Sequence, residues 1–272
     1  MFPSEELSAT DAAILETIAI PRYLERFGDL VLAMLLPTEG ARVANLGCRT
    51  GFPDRAICER VKRATVYGVD RSGPALELAR HKAAAGGFAA QYFPRDALPT
   101  SLPNAAFSHV VSICPILGAQ GRELLFAEIS RLLYSGGQAL VAMPLRGSFQ
   151  EIGDLFREYA LKNDLGDLGR AIEDSMASRP TLETLSEELE AAGLEDVDVE
   201  VRQEYLRFDK GRTLQEDPSM RLLILPDLLQ GLDHFDWRAP TEYLREAVDR
   251  YWSETFFDLS ISVGCASARR VG

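Results

Sequence analysis

The run Val43-Ala44-Asn45-Leu46-Gly47-Cys48-Arg49-Thr50-Gly51 constrains this chain more than any other stretch. An apolar strand runs into a glycine-bearing turn, and Phe52-Pro53-Asp54 opens a helix directly after it. A strand–turn–helix of this kind points backbone N–H groups and the positive end of a helix at a bound ligand. Gly47 and Gly51 serve the turn whatever else they do, because glycine reaches backbone angles that other residues resist.

The pattern continues as alternating strands and helices. Strands are expected at 42–46, 65–69, 89–93, 107–113 and 138–143, with helices around 53–63, from Ser72-Gly73-Pro74 to Gly86-Gly87, and over 121–134, closed by Ser135-Gly136-Gly137. This spacing predicts a parallel sheet of βαβ units. Ligands of such sheets sit at the carboxyl ends of the strands, near the switch in strand order. The loops 47–51, 70–72, 95–97 and 112–116 all fall on that edge, so Cys48, Arg71, Ala97 and Ser112 join the candidate binding set.

One or two helices are expected within the N-terminal 1–40, with Ser8 as a cap and Pro21 in the first turn of the second. Residues 146–180 read as a polar helical insertion, followed by a helix around 182–192. Val197, Val199 and Val201 alternate with charged residues, as in a half-exposed edge strand. A second insertion, 209–254, carries the apolar run Leu222-Leu223-Ile224-Leu225. Phe257, Leu259, Ile261, Val263 and Cys265 then alternate along a final strand, expected to lie antiparallel inside the sheet. No linker or repeat divides residues 1–272, so a single domain with helical cap insertions is expected.

Composition excludes more than it identifies. A net charge of −12 argues against sequence-independent nucleic-acid binding, which needs a basic surface. No apolar run approaches the ~20 residues of a membrane span, and Met1 to Asp11 lack the pattern of a signal peptide. Four scattered cysteines read as free thiols in a reducing cytoplasm. His81, His109 and His234 have no nucleophile or metal partner near them in sequence, so no metal site is expected.

The first run resembles motif I of class I S-adenosylmethionine-dependent methyltransferases, and later segments follow the same family in order. Asp70 ends the second strand, where the family's acid accepts hydrogen bonds from both ribose hydroxyls of S-adenosylmethionine; a carboxylate offers two acceptor oxygens to a diol. Asp96-Ala97 matches the position that accepts from the adenine amino group, and its spacing through Pro99, Leu102 and Phe107 into the fourth strand is similar to the family's. Ser135-Gly136-Gly137 matches the glycine pair before strand five. The resemblance implies a Rossmann-like α/β fold, a mostly parallel seven-stranded sheet with an antiparallel last strand. It implies S-adenosylmethionine as cofactor and Tyr23, Asn45, Gly47, Cys48, Gly51, Asp70, Arg71, Asp96, Ala97 and Ser112 as cofactor-side residues. Asp70 and Asp96 also suit helix caps or turns, and Tyr23 also suits a plain core role.

Two residues depart from motif I. Asn45 stands where the acid usually is, and Arg49 replaces the middle glycine. Either Arg49 turns outward and the site works, or it obstructs the cofactor. The first reading is methyl transfer to a small-molecule or carrier-bound acid. Arg146 is a candidate carboxylate clamp, since Pro144–Glu151 resembles a segment of malonyl-carrier-protein carboxyl methyltransferases; a generic surface arginine is the alternative. The second reading is a catalytically inactive methyltransferase-like protein, meeting a protein partner or a second copy through the 209–254 insertion. A nucleotide-binding dehydrogenase is the third.

Overall fold

The computed structural model describes residues 7–94, 97–232 and 234–271. Seven strands form one sheet: β1 Arg42–Leu46, β2 Thr65–Asp70, β3 Ala90–Pro94, β4 Phe107–Ile113, β5 Leu133–Pro144, β6 Leu194–Phe208 and β7 Phe257–Arg270. Their order is β3-β2-β1-β4-β5-β7-β6. β1 to β5 pair in parallel, and β7 runs antiparallel between β5 and β6. The order switches direction between β1 and β4, which opens a crevice at the carboxyl ends of the strands.

The central strands are apolar on both faces, as a parallel sheet covered by helices requires. Val43, Val111 and Leu140 pack on one face with Leu24, Phe27 and Leu30 of the N-terminal helix. Ala44, Val110 and Val141 point the other way, into the helices α5 Ala119–Leu132 and α8 Leu182–Ala191. These helices follow in chain order after α1 Ala9–Ile14, α2 Glu25–Met34, α3 Asp54–Arg60 and α4 Gly73–Gly86. α6 Gln150–Lys162 and α7 Gly166–Ala177 lie in the first insertion. α9 Gly211–Glu216, α10 Leu225–Leu228 and α11 Arg238–Tyr251 lie in the second.

Several boundaries differ from the sequence reading. Pro21 does not start a helix; it lies inside a π-helical stretch, Leu15–Leu24, that joins α1 to α2 without a break. A proline has no N–H to donate, and the wider turn accommodates its ring. α5 ends at Leu132, and Ser135-Gly136-Gly137 belongs to β5, with Gly136 at φ +80°. β6 runs well beyond Val197–Val201, and its outer edge carries charged side chains that discourage pairing with other chains. Among the described residues no helix is long and apolar enough to cross a membrane.

Candidate functional site

The turn after β1 is built by backbone geometry. Gly47 leaves the strand at φ +73°, and the N–H groups of Gly47 and Cys48 donate to the Val69 carbonyl at 2.9 and 3.1 Å, pinning the turn to β2. A Cβ on Gly47 would meet nothing within 4 Å, because the residue borders open space. Gly51 is the opposite case: at φ +77°, its Cβ would lie 2.8 Å from the Tyr92 hydroxyl.

That open space is a cavity of about 320 Å³ over the strand ends. Its floor includes Leu46, Gly47, Asp70 and Ser112, from β1, β2, β4 and their loops. Its roof comes from the second insertion, with Leu222, Leu223, Pro226 and Leu229, and Leu15 of the N-terminal helix closes one side. The walls are held by polar contacts. Glu16 accepts from the Thr50 hydroxyl and from Lys82, both at 2.6 Å, tying the N-terminal helix to the glycine turn. Arg22 pairs with Asp217, Arg221 with Asp11, and Gln230 donates to the Ile116 carbonyl.

Asp70 holds the turn as well as lining the cavity. Its two oxygens accept from the backbone N–H groups of Arg49 at 2.9 Å and Ser72 at 3.0 Å. Each oxygen has a further lone pair for a ligand. Arg49 does not turn outward. It sits at φ +49°, and its guanidinium reaches across the crevice to donate to the carbonyls of Ile113 at 2.9 Å and Cys114 at 2.6 Å.

Gly47, Asp70, Arg71 and Ser112 therefore meet at the cavity. Other predicted residues stand elsewhere. Asn45 is buried beneath the turn, where its amide donates to the Phe52 carbonyl and, at 2.7 Å, to Asp54. Asp54 also accepts from Tyr92 at 2.8 Å, and burial pushes its pKa up. Cys48 packs with Leu76, Ala79 and Tyr92, and burial raises its thiol pKa. Gly51 is buried under the same turn, and exposed Ala97 does not line the cavity. Tyr23 meets Phe27 edge-to-face, lies tilted against Phe149, and borders a second hollow of about 10 Å³ with Cys114 and Asp227. Asp96 lies outside the described residues.

Arg146 is not brought to the cavity. Its guanidinium donates to the carbonyls of Ala177 and Arg179, closing the end of α7. Leu222 to Leu225, Leu228 and Leu229 are buried within the chain, so this run is roof and core, not an open face for a partner. His109 is buried, bonded to Ser108 and the Leu36 carbonyl, with its pKa lowered by burial. Sequence reasoning placed the 112–116 loop, with Ile116, at this edge but left Leu7, Leu15 and Leu117 unassigned. Nothing local in their sequence marks them, since the tertiary fold alone carries them to the strand ends.

Residues 43–137 match a family model described as a methyltransferase domain. The demethylmenaquinone methyltransferase of Thermus thermophilus is 30% identical over 180 residues, covering 61% of this chain and 78% of that protein. The chain belongs to the class I S-adenosylmethionine-dependent methyltransferases. The malonyl-[acyl-carrier protein] O-methyltransferase of Serratia marcescens is 31% identical over 131 residues, 48% of this chain and 49% of its own. Phosphoethanolamine N-methyltransferase 2 of Haemonchus contortus, solved with phosphomonomethylethanolamine and S-adenosylhomocysteine, shares the fold. Its TM-score is 0.58 at 19% identity, over 98% of this chain and 59% of that one.

S-adenosylmethionine is the cofactor of this methyltransferase. The residues present fit it: Gly47 leaves open space where a side chain would project, and the Asp70 carboxylate borders the same cavity. Arg49 adds a cation there that the usual glycine would not.

Proposed function

We propose that this methyltransferase acts on a small-molecule or carrier-bound acid, which it methylates as the carboxylate. The supporting observation is the cavity's ionisable lining. Among the described residues it consists of Arg49, Asp70 and Arg71. The one carboxylate of that set already accepts two backbone N–H groups. Among the described lining residues no histidine, lysine or thiol joins them, which favours a nucleophile that arrives already ionised and needs no general base. A malonyl-carrier methyltransferase among the relatives is in keeping with this class of acceptor.

When bound, the cofactor supplies an electrophilic methyl group: the carboxylate oxygen forms the new C–O bond as the C–S bond breaks. The chain's own work is alignment and exclusion of water. We assign Gly47 and Ser112 to the floor under the cofactor and Asp70 to its ribose hydroxyls. The apolar residues of 220–231 form a cap, within the 209–254 insertion, that gives the acceptor's hydrocarbon part a dry wall.

The test is transfer of a labelled methyl group from S-adenosylmethionine to malonyl and fatty-acyl acids, free and as carrier conjugates. Carboxyl methyl esters release labelled methanol in mild alkali. Label that enters product but withstands alkali would place the methyl on carbon, nitrogen or an ether oxygen and refute the carboxylate reading.

A further inference from the structure

Arg49 is a cation without a carboxylate partner among the described residues, in a chain of net charge −12. By contrast, Arg22 pairs with Asp217 and Arg221 with Asp11 where the second insertion meets the N-terminal helices. Arg49 is braced instead by two backbone carbonyls at the end of β4. Those contacts leave Nε and part of both terminal nitrogens with N–H groups to donate. Its backbone lies in the left-handed region that glycine occupies without strain, yet a long side chain is kept there. Cys114, which receives its guanidinium, is left-handed too, at φ +46°.

We propose that Arg49 is a carboxylate-binding residue of this site, and this rests on the reading that the cavity holds S-adenosylmethionine. The charge pattern argues for it. An unneutralised guanidinium facing a sulfonium would be repulsive in a partly dry cavity, whereas a carboxylate between them pairs with both. A guanidinium held flat by two carbonyls also presents its remaining N–H groups in the geometry that carboxylates accept.

Two carboxylates are chemically equivalent here: the one on the cofactor's amino-acid end and the one on the acceptor. Position favours the first. Asp70, at the end of β2, and Arg49, over β1 and β4, are neighbours joined through the Arg49 N–H. The cavity runs from Asp70 past Gly47 to Ser112 and Ile113, so a ligand with its ribose on Asp70 has room for its amino-acid tail over the β1–β4 crevice, where the guanidinium lies.

Calorimetry separates the sources without depending on turnover. S-adenosylhomocysteine and its decarboxylated analogue, S-adenosyl-3-thiopropylamine, are titrated into wild type, Arg49→Gln and Arg49→Lys. The expected result is about a tenfold or greater preference of wild type for the carboxylate-bearing ligand, matching the loss of a hydrogen bond to a charged group. Arg49→Gln closes that gap by weakening S-adenosylhomocysteine alone, and Arg49→Lys leaves it partly open. If instead the gap survives in Arg49→Gln but hexanoate, titrated onto the S-adenosylhomocysteine complex, binds only wild type, the carboxylate is the acceptor's. Arg49→Gln that alters neither, or that binds both adenosyl ligands more tightly, overturns the proposal, the second result marking the guanidinium as an obstruction. A wild type that binds neither adenosyl ligand fails at the cofactor reading itself, a result distinct from all of these.

Discussion

Restoring the family's usual acid at position 45 is expected to harm this protein. The Asn45 amide donates to Asp54 at 2.7 Å in a site closed to solvent, and burial already raises the Asp54 pKa. Asn45→Asp places two carboxylates at that separation. At an effective dielectric of about 20, two unit charges near 3 Å repel by roughly 5 kcal/mol. The pair avoids this by keeping one proton, so one of its apparent pKa values rises by several units.

The sign of the pH dependence follows. An acid whose folded pKa lies above its unfolded value stabilises the fold below the unfolded value and loses that contribution as pH rises. Holding a proton costs about 1.4 kcal/mol for each pH unit above ~4, or roughly 4 kcal/mol at pH 7, up to the ~5 kcal/mol limit of the repulsion. For a chain of this size that amounts to about 10 °C in Tm. Urea and thermal denaturation from pH 5 to pH 8 measure it. Asn45→Asp should approach wild type at pH 5 and fall away as pH rises, and the exchange Asn45→Asp with Asp54→Asn should recover most of the loss. Parallel pH curves for the single variant and wild type would refute the buried carboxamide–carboxylate pairing.

Asp70→Ala should weaken S-adenosylhomocysteine by roughly ten- to a hundredfold in calorimetry, the effect of losing hydrogen bonds to a charged acceptor; unchanged affinity removes Asp70 from the ribose site. Hydrogen exchange should show the roof, 220–231, gaining protection on adding S-adenosylhomocysteine, while α6 and α7, which do not line the cavity, stay as they were. Equal protection of the roof in both states would make it a fixed wall.

The fold was legible because its signals are local. Ser72 caps α4 by accepting from Ala75, Gly87 ends it at φ +64°, and the apolar strands β1 and β4 stand where alternation and turn residues place them. The cavity floor was legible for the same reason: Gly47, Asp70 and Ser112 sit at strand ends, and strand ends of a parallel sheet converge. A strand-end motif does not say which side chains face the cavity, and those of Asn45 and Cys48 do not line it. Both point under the turn, to Asp54 and to Tyr92. The insertions were expected as caps from their place in the chain: 209–254 sends Leu222, Leu223 and Leu229 to the cavity, whereas no described residue of 146–180 lines it, a difference that only tertiary packing sets.

Three of the seven described non-glycine residues with left-handed backbone angles lie near where the floor and roof meet, the other four (Arg63, Ala105, Asp164 and Asp196) elsewhere. Arg49, Cys114 and Phe149 all take left-handed backbone angles without being glycine. Arg49 donates to Cys114, Phe149 lies tilted against Tyr23, and Arg179 lies over Phe149 while pairing with Asp227 of the roof. Each such residue costs of order 1–3 kcal/mol, so the surrounding packing must over-determine it. The Arg179–Asp227 pair is largely buried, and removing one partner of a buried ion pair typically costs about 3–5 kcal/mol because the remaining charge is stranded. A chain that only needed a stable sheet would relieve this cluster with glycine at position 49. Keeping arginine there is intelligible if the guanidinium meets a ligand, so the departure from motif I reads as part of the site's recognition chemistry and not as its decay.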